Sequence, residues 1–176
     1  MNDLRLEDLA PHHADALAAW LGQEEVLRWL PYLPQEVTPE GILARLEGLD
    51  GDPSKRELAI LVDGELAGVA RLVCRDDERA RAWVGSFEVA LDPAFQGQGA
   101  GRAAVEALAR ELYRWGKVEA ILIGVLEGNA RALRLYESLG YREVERVWWD
   151  IRGGRVRVLM LSDKPDRFTR RRVGFA

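Results

Sequence analysis

Gly97, Gly99 and Gly101 fall within five positions, directly after an apolar run of strand length that ends at Pro93 and directly before an Ala- and Leu-rich helical pattern. The stretch reads DPAFQGQGAGRAAVEALAREL, residues 92–112. Glycine beside a helix costs stability, because it loses more backbone freedom on folding than other residues. Three of them here restrict the chain to folds in which a strand, a tight turn and a helix N-terminus meet. The free N–H groups of a first helical turn point outward and the helix dipole favours negative charge, so this arrangement binds phosphate. Missing Cβ atoms give phosphate oxygens access to the backbone, and glycine tolerates unusual backbone angles.

The rest of the chain fits an alternation of periods around that feature. DLRLEDL reads as a first strand, and HHADALAAWLG as a helix with Ala16, Leu17, Trp20 and Leu21 at helical spacing. A short helix follows in EEVLRWLPYLP. Thr38 and Pro39 mark the start of another helix, with Thr38 as the N-cap. ELAILVDGELAGVARLVCR is a hairpin turning at Asp63-Gly64. ARAWVGSFEVALDP is a long strand, and GAGRAAVEALARELYRWG a helix stopped by Gly116. KVEAILIGVLEG is a buried strand, and NARALRLYESLG a helix closed by Gly140. The final hairpin turns at Gly153-Gly154. The expected class is α/β (α+β) with a mixed sheet. Residues 1–163 form one domain in this reading, and residues 164–176 a basic tail.

Composition excludes several functions. The net charge of −4 gives no support for sequence-independent nucleic-acid binding. No stretch is long enough to span a membrane and the first residues lack the apolar core of a signal peptide, so a cytoplasmic location is the default expectation. Cys74 is alone and reads as a buried hydrophobe rather than a nucleophile. His12 and His13 read as surface residues. No His, Cys and carboxylate set has metal-ligand spacing, so no metal is expected.

Two phosphate motifs fail here. A dinucleotide fingerprint needs a third glycine where Arg102 stands, and a P-loop needs a Lys-Ser/Thr pair that is absent. The residues present are Gln96-x-x-Gly99-x-Gly101 between a strand and a helix. This resembles the Q/R-x-x-G-x-G/A signature of the GNAT superfamily of acetyl-CoA-dependent N-acetyltransferases. Asn129 at a helix start, Tyr136 seven residues on and the Gly140-Tyr141 pair resemble a second segment of the family. LRWLP and the VWWDIRGGRVRVLML hairpin look most like the branch that acetylates ribosomal-protein N-termini, a branch that also holds polyamine and antibiotic acetyltransferases.

The resemblance implies a mostly antiparallel central sheet, splayed between its fourth and fifth strands and flanked by helices. It implies acetyl-CoA as co-substrate, with no metal. The pantetheine arm pairs with backbone groups around Val89, Ala90 and Leu91. The pyrophosphate rests on the N–H groups of Gly97, Gln98, Gly99, Ala100, Gly101 and Arg102, beside Gln96. Asn129 caps its helix and touches coenzyme A. Tyr136 acts as the general acid. The acceptor is an amine, a peptide N-terminus or a small molecule such as a polyamine or aminoglycoside. A non-catalytic acetyl-CoA sensor or scaffold is the reading from another class. A homodimer is compatible with the two tryptophans, Trp148 and Trp149, which alternate across their strand.

The base is where this sequence departs from its relatives. Many carry a Glu ten or eleven residues before the motif's first residue; Ser86 and Gly85 stand there. Others carry a base five residues before the Asn; Gly124 stands there, with Glu127 displaced. Glu88 is the nearest candidate base on the long strand, facing either the acceptor or solvent, and water is the alternative. A peptide α-amino group, with a pKa of about 7.7–8.0, is roughly one-tenth neutral at pH 7; a lysine-like amine is neutral about once in 2,500. A weakly defined base therefore leans toward an α-amino acceptor. Trp20, Trp29 and Tyr32 lie in the helical segment that lines acceptor sites in this fold.

Overall fold

The computed structural model describes residues 3–30, 36–47, 52–77, 82–149 and 155–163. In chain order the elements are β1 (Leu4–Asp8), α1 (Ala14–Leu21), α2 (Glu24–Leu27), α3 (Pro39–Glu47), β2 (Lys55–Val62), β3 (Glu65–Asp77), β4 (Ala82–Leu91), α4 (Ala100–Glu111), β5 (Ala120–Leu126), α5 (Ala130–Ser138), β6 (Arg142–Trp149) and β7 (Arg155–Asp163). The strands form a seven-stranded mixed sheet in the order β1-β2-β3-β4-β5-β7-β6. β1 with β2, β2 with β3, β5 with β7 and β6 with β7 are antiparallel; β4 and β5 are parallel. Among the described residues, the β4–β5 register covers Val84 with Ala120 and Gly85 with Ile121. β4 then runs on to Leu91 and β5 to Leu126. Among the described residues no helix is long and apolar enough to cross a membrane.

Local chemistry fixes most element boundaries. Asp63 and Gly64 both have positive φ, 51° and 86°, as the tight turn between right-twisted strands requires. Thr38 Oγ1 accepts the Gly41 N–H at 3.1 Å at the start of α3. Gly140, at φ 87°, follows the end of α5. The end of α4 departs from expectation. The α-helix stops at Glu111, a π turn covers Leu112–Gly116, and the left-handed residue is Lys117 at φ 50°. Gly116 is needed for packing instead: a Cβ there would stand 2.5 Å from Cys74 Sγ, and the Gly116 carbonyl accepts Trp83 Nε1–H at 2.8 Å. Cys74 is buried as expected, and burial pushes its thiol pKa up.

The chain forms two compact units, each built from two segments: Met1–Val73 with Phe87–Leu108, and Cys74–Ser86 with Ala109–Ala176. In the first unit, Leu17, Trp20 and Leu21 of α1, Val26 of α2 and Ile42 of α3 pack with Ala90 of β4. In the second, Val84, Ala120, Leu122, Leu159 and Leu161 form a core joined by Val144 and Val147. Trp148 is 69% exposed. The side chain of Trp149, Tyr32, the Gly153-Gly154 turn and the basic tail lie outside the described residues.

Glycine also sets how closely β3 approaches β4. A Cβ at Gly68 would lie 2.5 Å from the Ala90 carbonyl oxygen, a backbone atom that cannot swing aside. Gly68→Ala is expected to cost about 1–3 kcal/mol, the usual penalty of overpacking. Thermal melting of wild type and variant checks this; an unchanged midpoint would mean the strands part freely there.

Candidate active site

In the first unit β4 leads into Asp92, whose carboxylate accepts the Ala94 N–H at 2.8 Å and caps a 3-10 turn, Pro93–Phe95. Gln96 Nε2 donates back to the Leu91 carbonyl at 3.0 Å, and Gln98 Nε2 donates to the Ala94 carbonyl at 3.2 Å. Both glutamines tie the loop to the chain just before it. Gly97 and Gly99 have φ of 82° and 86°. No heavy atom comes within 4 Å of where a Cβ at either would stand. Backbone conformation, not packing, therefore demands glycine here, and the space over the loop is open.

The Ala103 N–H donates to the Gly99 carbonyl at 3.2 Å, which makes Gly99 the N-cap of α4. The N–H groups of Ala100, Gly101 and Arg102 precede the first intrahelical donor. Gly101 sits inside the first turn rather than in the loop. Arg102 is exposed, with Nη1 3.6 Å from Glu106. Val89 and Leu91 are half-buried on one face of β4, and Ala90 is buried on the other. The open loop, the N–H groups of the first helical turn and the cation of Arg102 fit a polyphosphate.

Glu88 shares its strand face with Ala90 and is half-buried, so it does not project into bulk solvent. It lines a cavity of about 90 Å³ together with Arg45, Glu57 and Arg71 and the apolar side chains of α1 and α3. Glu57 is only 7% exposed and accepts Arg45 Nε and Nη2 on one oxygen, at 2.9 and 2.7 Å. Arg71 Nε stands 3.6 Å from the same oxygen. Burial holds the Glu57 carboxyl above the usual carboxylate range and outweighs Arg45 and Arg71, which pull it down; the Glu88 charge pushes it up further. Trp20 is buried in the helical cluster, and Trp29 is half-buried with Arg28 over its ring at 5.8 Å.

The second unit carries the other segment. Asn129 Oδ1 accepts the Ala132 N–H at 3.1 Å and caps α5. About two turns on, Tyr136 is buried, its ring edge-on to Tyr141 with centroids 5.5 Å apart. Burial pushes its hydroxyl pKa well above the ordinary phenol value, so it holds its proton at every physiological pH. Tyr136 is thus a packed aromatic that carries a neutral hydroxyl. Glu127 is exposed, and Arg146 pairs with it and with Glu143.

A pocket of about 360 Å³ lies in the same unit. It collects two of the three positions at which a base was sought from the sequence, Ser86 and Gly124, but not Gly85. Ser86 directly follows Gly85, and Leu122, Ile123 and Gly124 directly follow Ile121, so the pocket opens where the β4–β5 register ends. Its charged groups are Arg75, Asp76 and Asp77 from the end of β3 and Arg157 from β7. Arg75 Nη2 is 3.4 Å from Asp77 Oδ2. The Arg157 guanidinium fills the volume that a side chain at Gly124 would need. Gly85 lacks room for another reason: a Cβ there would meet Leu112 at 2.9 Å. Nothing in the local sequence marks Asp76, Asp77 or Arg157, because strand pairing alone brings them to Ser86 and Gly124.

The histidines correct the sequence reading. His12 is exposed, but His13 is 6% exposed and accepts the Ala10 N–H on Nδ1 at 3.1 Å. That bond leaves the proton on Nε2, which lies 3.1 Å from Glu7 Oε1. Glu7, His12 and His13 bring donor atoms within 4.8 Å of one another, a metal-capable grouping among the described residues that sequence spacing did not reveal. The Ala10 N–H and the Glu7 carboxylate account for both nitrogens of His13.

Comparison with known proteins agrees with this geometry. Residues 15–141 match the model of the acetyltransferase (GNAT) family. The chain is 38% identical over 78 residues to the [ribosomal protein bS18]-alanine N-acetyltransferase of Escherichia coli strain K12, covering 43% of this chain and 52% of that one. It is 27% identical over 92 residues to the spermine/spermidine N(1)-acetyltransferase of Bacillus subtilis strain 168, covering 49% and 59%. The chain thus spans between half and three-fifths of the length of these relatives. The fold superposes on a spermidine N-acetyltransferase from Vibrio cholerae in complex with CoA and spermine, with a TM-score of 0.79 at 16% identity, over 91% of this chain and 95% of that one.

Proposed function

Because the chain belongs to the acetyltransferase (GNAT) family, we propose that it transfers the acetyl group of acetyl-CoA to a peptide or protein α-amino group, by direct attack in a ternary complex. The observation that carries this reading is the loop at Gly97 and Gly99, whose positive φ angles and open upper face precede the first turn of α4. Gln96, Gly97, Gln98, Gly99, Ala100, Gly101 and Arg102 hold the pyrophosphate, the β4 backbone from Val89 to Leu91 holds the pantetheine arm, and Asn129 contributes a further contact. The fold of the Vibrio cholerae neighbour, crystallised with CoA, is consistent with that assignment.

The amine nitrogen attacks the thioester carbonyl carbon, a C–N bond forms and the C–S bond breaks. Tyr136 donates its hydroxyl proton to the departing sulfur. Glu88 is the carboxylate proposed to receive the proton the amine loses, directly or through water. An α-amino acceptor reduces the demand on that base, since about a tenth of it is neutral at pH 7. The bS18-alanine relative supports a peptide acceptor, and the Bacillus relative supports a polyamine as the second reading.

Thiol release from acetyl-CoA, measured with alanyl peptides, spermidine and an aminoglycoside, tests the proposal. The expected result is turnover with peptides. Coenzyme A binding with no transfer to any amine would convert the reading to a sensor. In the same assay across pH 6 to 9, Glu88→Gln is expected to cost less than Tyr136→Phe, because Glu88 stands off the base positions of relatives. A thousandfold loss for Glu88→Gln beside a mild loss for Tyr136→Phe would exchange their importance.

A further inference from the structure

A cation covers Gly124, one of the positions at which a base was sought from the sequence. Arg157 stands opposite Leu126 in the β5–β7 register, while Gly124 stands opposite Leu159. The Arg157 side chain leans diagonally along β5, two residues back, as long side chains on neighbouring strands do. It reaches the Gly124 backbone because no side chain is there. This wall of the pocket therefore carries a positive charge. On the β3 wall the charges are Arg75, Asp76 and Asp77, with Asp77 held near Arg75 and Asp76 exposed.

We propose that Arg157 is a specificity-determining residue, which makes the pocket recognise an amine that carries a carbonyl oxygen on the adjacent carbon, the α-aminoacyl group of a peptide N-terminus. This rests on the acetyltransferase reading above and narrows its acceptor. The pocket offers two complementary walls. Asp76 and Asp77 attract the incoming ammonium before it loses its proton. The guanidinium, with five N–H donors, gives a hydrogen bond to the carbonyl oxygen while keeping its contacts within the protein. An N-terminal residue presents that donor and acceptor three bonds apart. A polyamine presents donors only, and its further ammonium groups meet a like charge at Gly124. The volume, about 360 Å³, admits an aminoacyl residue with its first peptide group.

The test compares alaninamide with isopropylamine, which lacks the carboxamide, and with spermidine. Acetyl transfer is measured for wild type, Arg157→Met and Arg157→Lys. Arg157→Met keeps most of the length and removes the charge and donors; Arg157→Lys keeps the charge and loses the fork. The expected result is a fall of about tenfold or more in kcat/KM for alaninamide with Arg157→Met, carried mainly by KM. Isopropylamine is expected to change less than threefold, spermidine to hold or rise, and Arg157→Lys to lie between the parent and Arg157→Met for alaninamide. Melting curves identify any variant that loses its fold, and Arg157→Lys then supplies the comparison. Equal losses on all three amines, or a larger loss on spermidine, would overturn the specificity role and leave the acetyltransferase reading intact. Wild-type protein that acetylates no amine would overturn both.

Discussion

Tyr136→Phe is expected to lower turnover about a hundredfold, within the range that a positioned acid contributes, while changing coenzyme A affinity little. The substitution removes one oxygen from a buried ring. The edge-on contact with Tyr141 depends on the ring and survives. Packing is therefore conserved, and the loss falls on the step in which sulfur takes a proton. A fall in kcat without a rise in the coenzyme A dissociation constant marks an interaction made in the transition state. The pH dependence adds a second readout. Burial raises the Tyr136 hydroxyl pKa, and an acid with a raised pKa keeps its proton to higher pH. From pH 6 to 9 the hydroxyl stays protonated, so wild type should show no falling limb from Tyr136. Wild-type turnover in Tyr136→Phe would reduce the residue to a packed aromatic. A loss confined to affinity would make it a binding residue.

Gly99→Val is expected to weaken coenzyme A binding about a hundredfold, about 2.8 kcal/mol. Two effects combine. At φ 86° a β-branched residue is strained, by about 1–3 kcal/mol, and the loop shifts to relieve it. The added side chain also enters the open space where the pyrophosphate is proposed to sit. Because no heavy atom of the protein lies within 4 Å of that Cβ position, the folded chain itself meets no clash. Gly99→Asn separates the two effects, since Asn tolerates positive φ yet still carries a side chain. Calorimetry should show both variants impaired, Val more than Asn. Full affinity in a folded Gly99→Asn would assign the glycine to backbone conformation alone and remove the phosphate from that space. Impairment of both would place ligand volume at residue 99.

The site was legible in the sequence to the extent that short segments carry their own geometry. Gln96, Gly99 and Gly101 stand in one loop and turn, and Asn129 and Tyr136 on one cap and helix, so short segments carried the family resemblance for each set. Access for a ligand and unusual backbone angles were both expected of the glycines; Gly97 and Gly99 have such angles, and Gly101 belongs to the helix. The base was not legible, because a carboxylate's surroundings depend on which strands and helices cover it. Alternation put Glu88 on one face of β4, but only packing set it beside Glu57, Arg45 and Arg71.

Residues within about four positions of one another determine turns, caps and left-handed angles, since these depend on φ, ψ and hydrogen bonds a few bonds away. The sequence by itself therefore determined the Asp63-Gly64 turn, the Thr38 and Asn129 caps, Gly140 after α5 and the strand–loop–helix at residues 92–112. Tertiary structure decided which distant residues meet. It turned Gly68, Gly85 and Gly116 into packing glycines, against Ala90, Leu112 and Cys74. It buried His13 between Ala10 and Glu7. It drew Ser86, Gly124, Asp76, Asp77 and Arg157 to one pocket. Those meetings follow from strand order and register, and register is fixed by the buried faces of whole strands, so no local pattern around Arg157 announces that its side chain will cover Gly124.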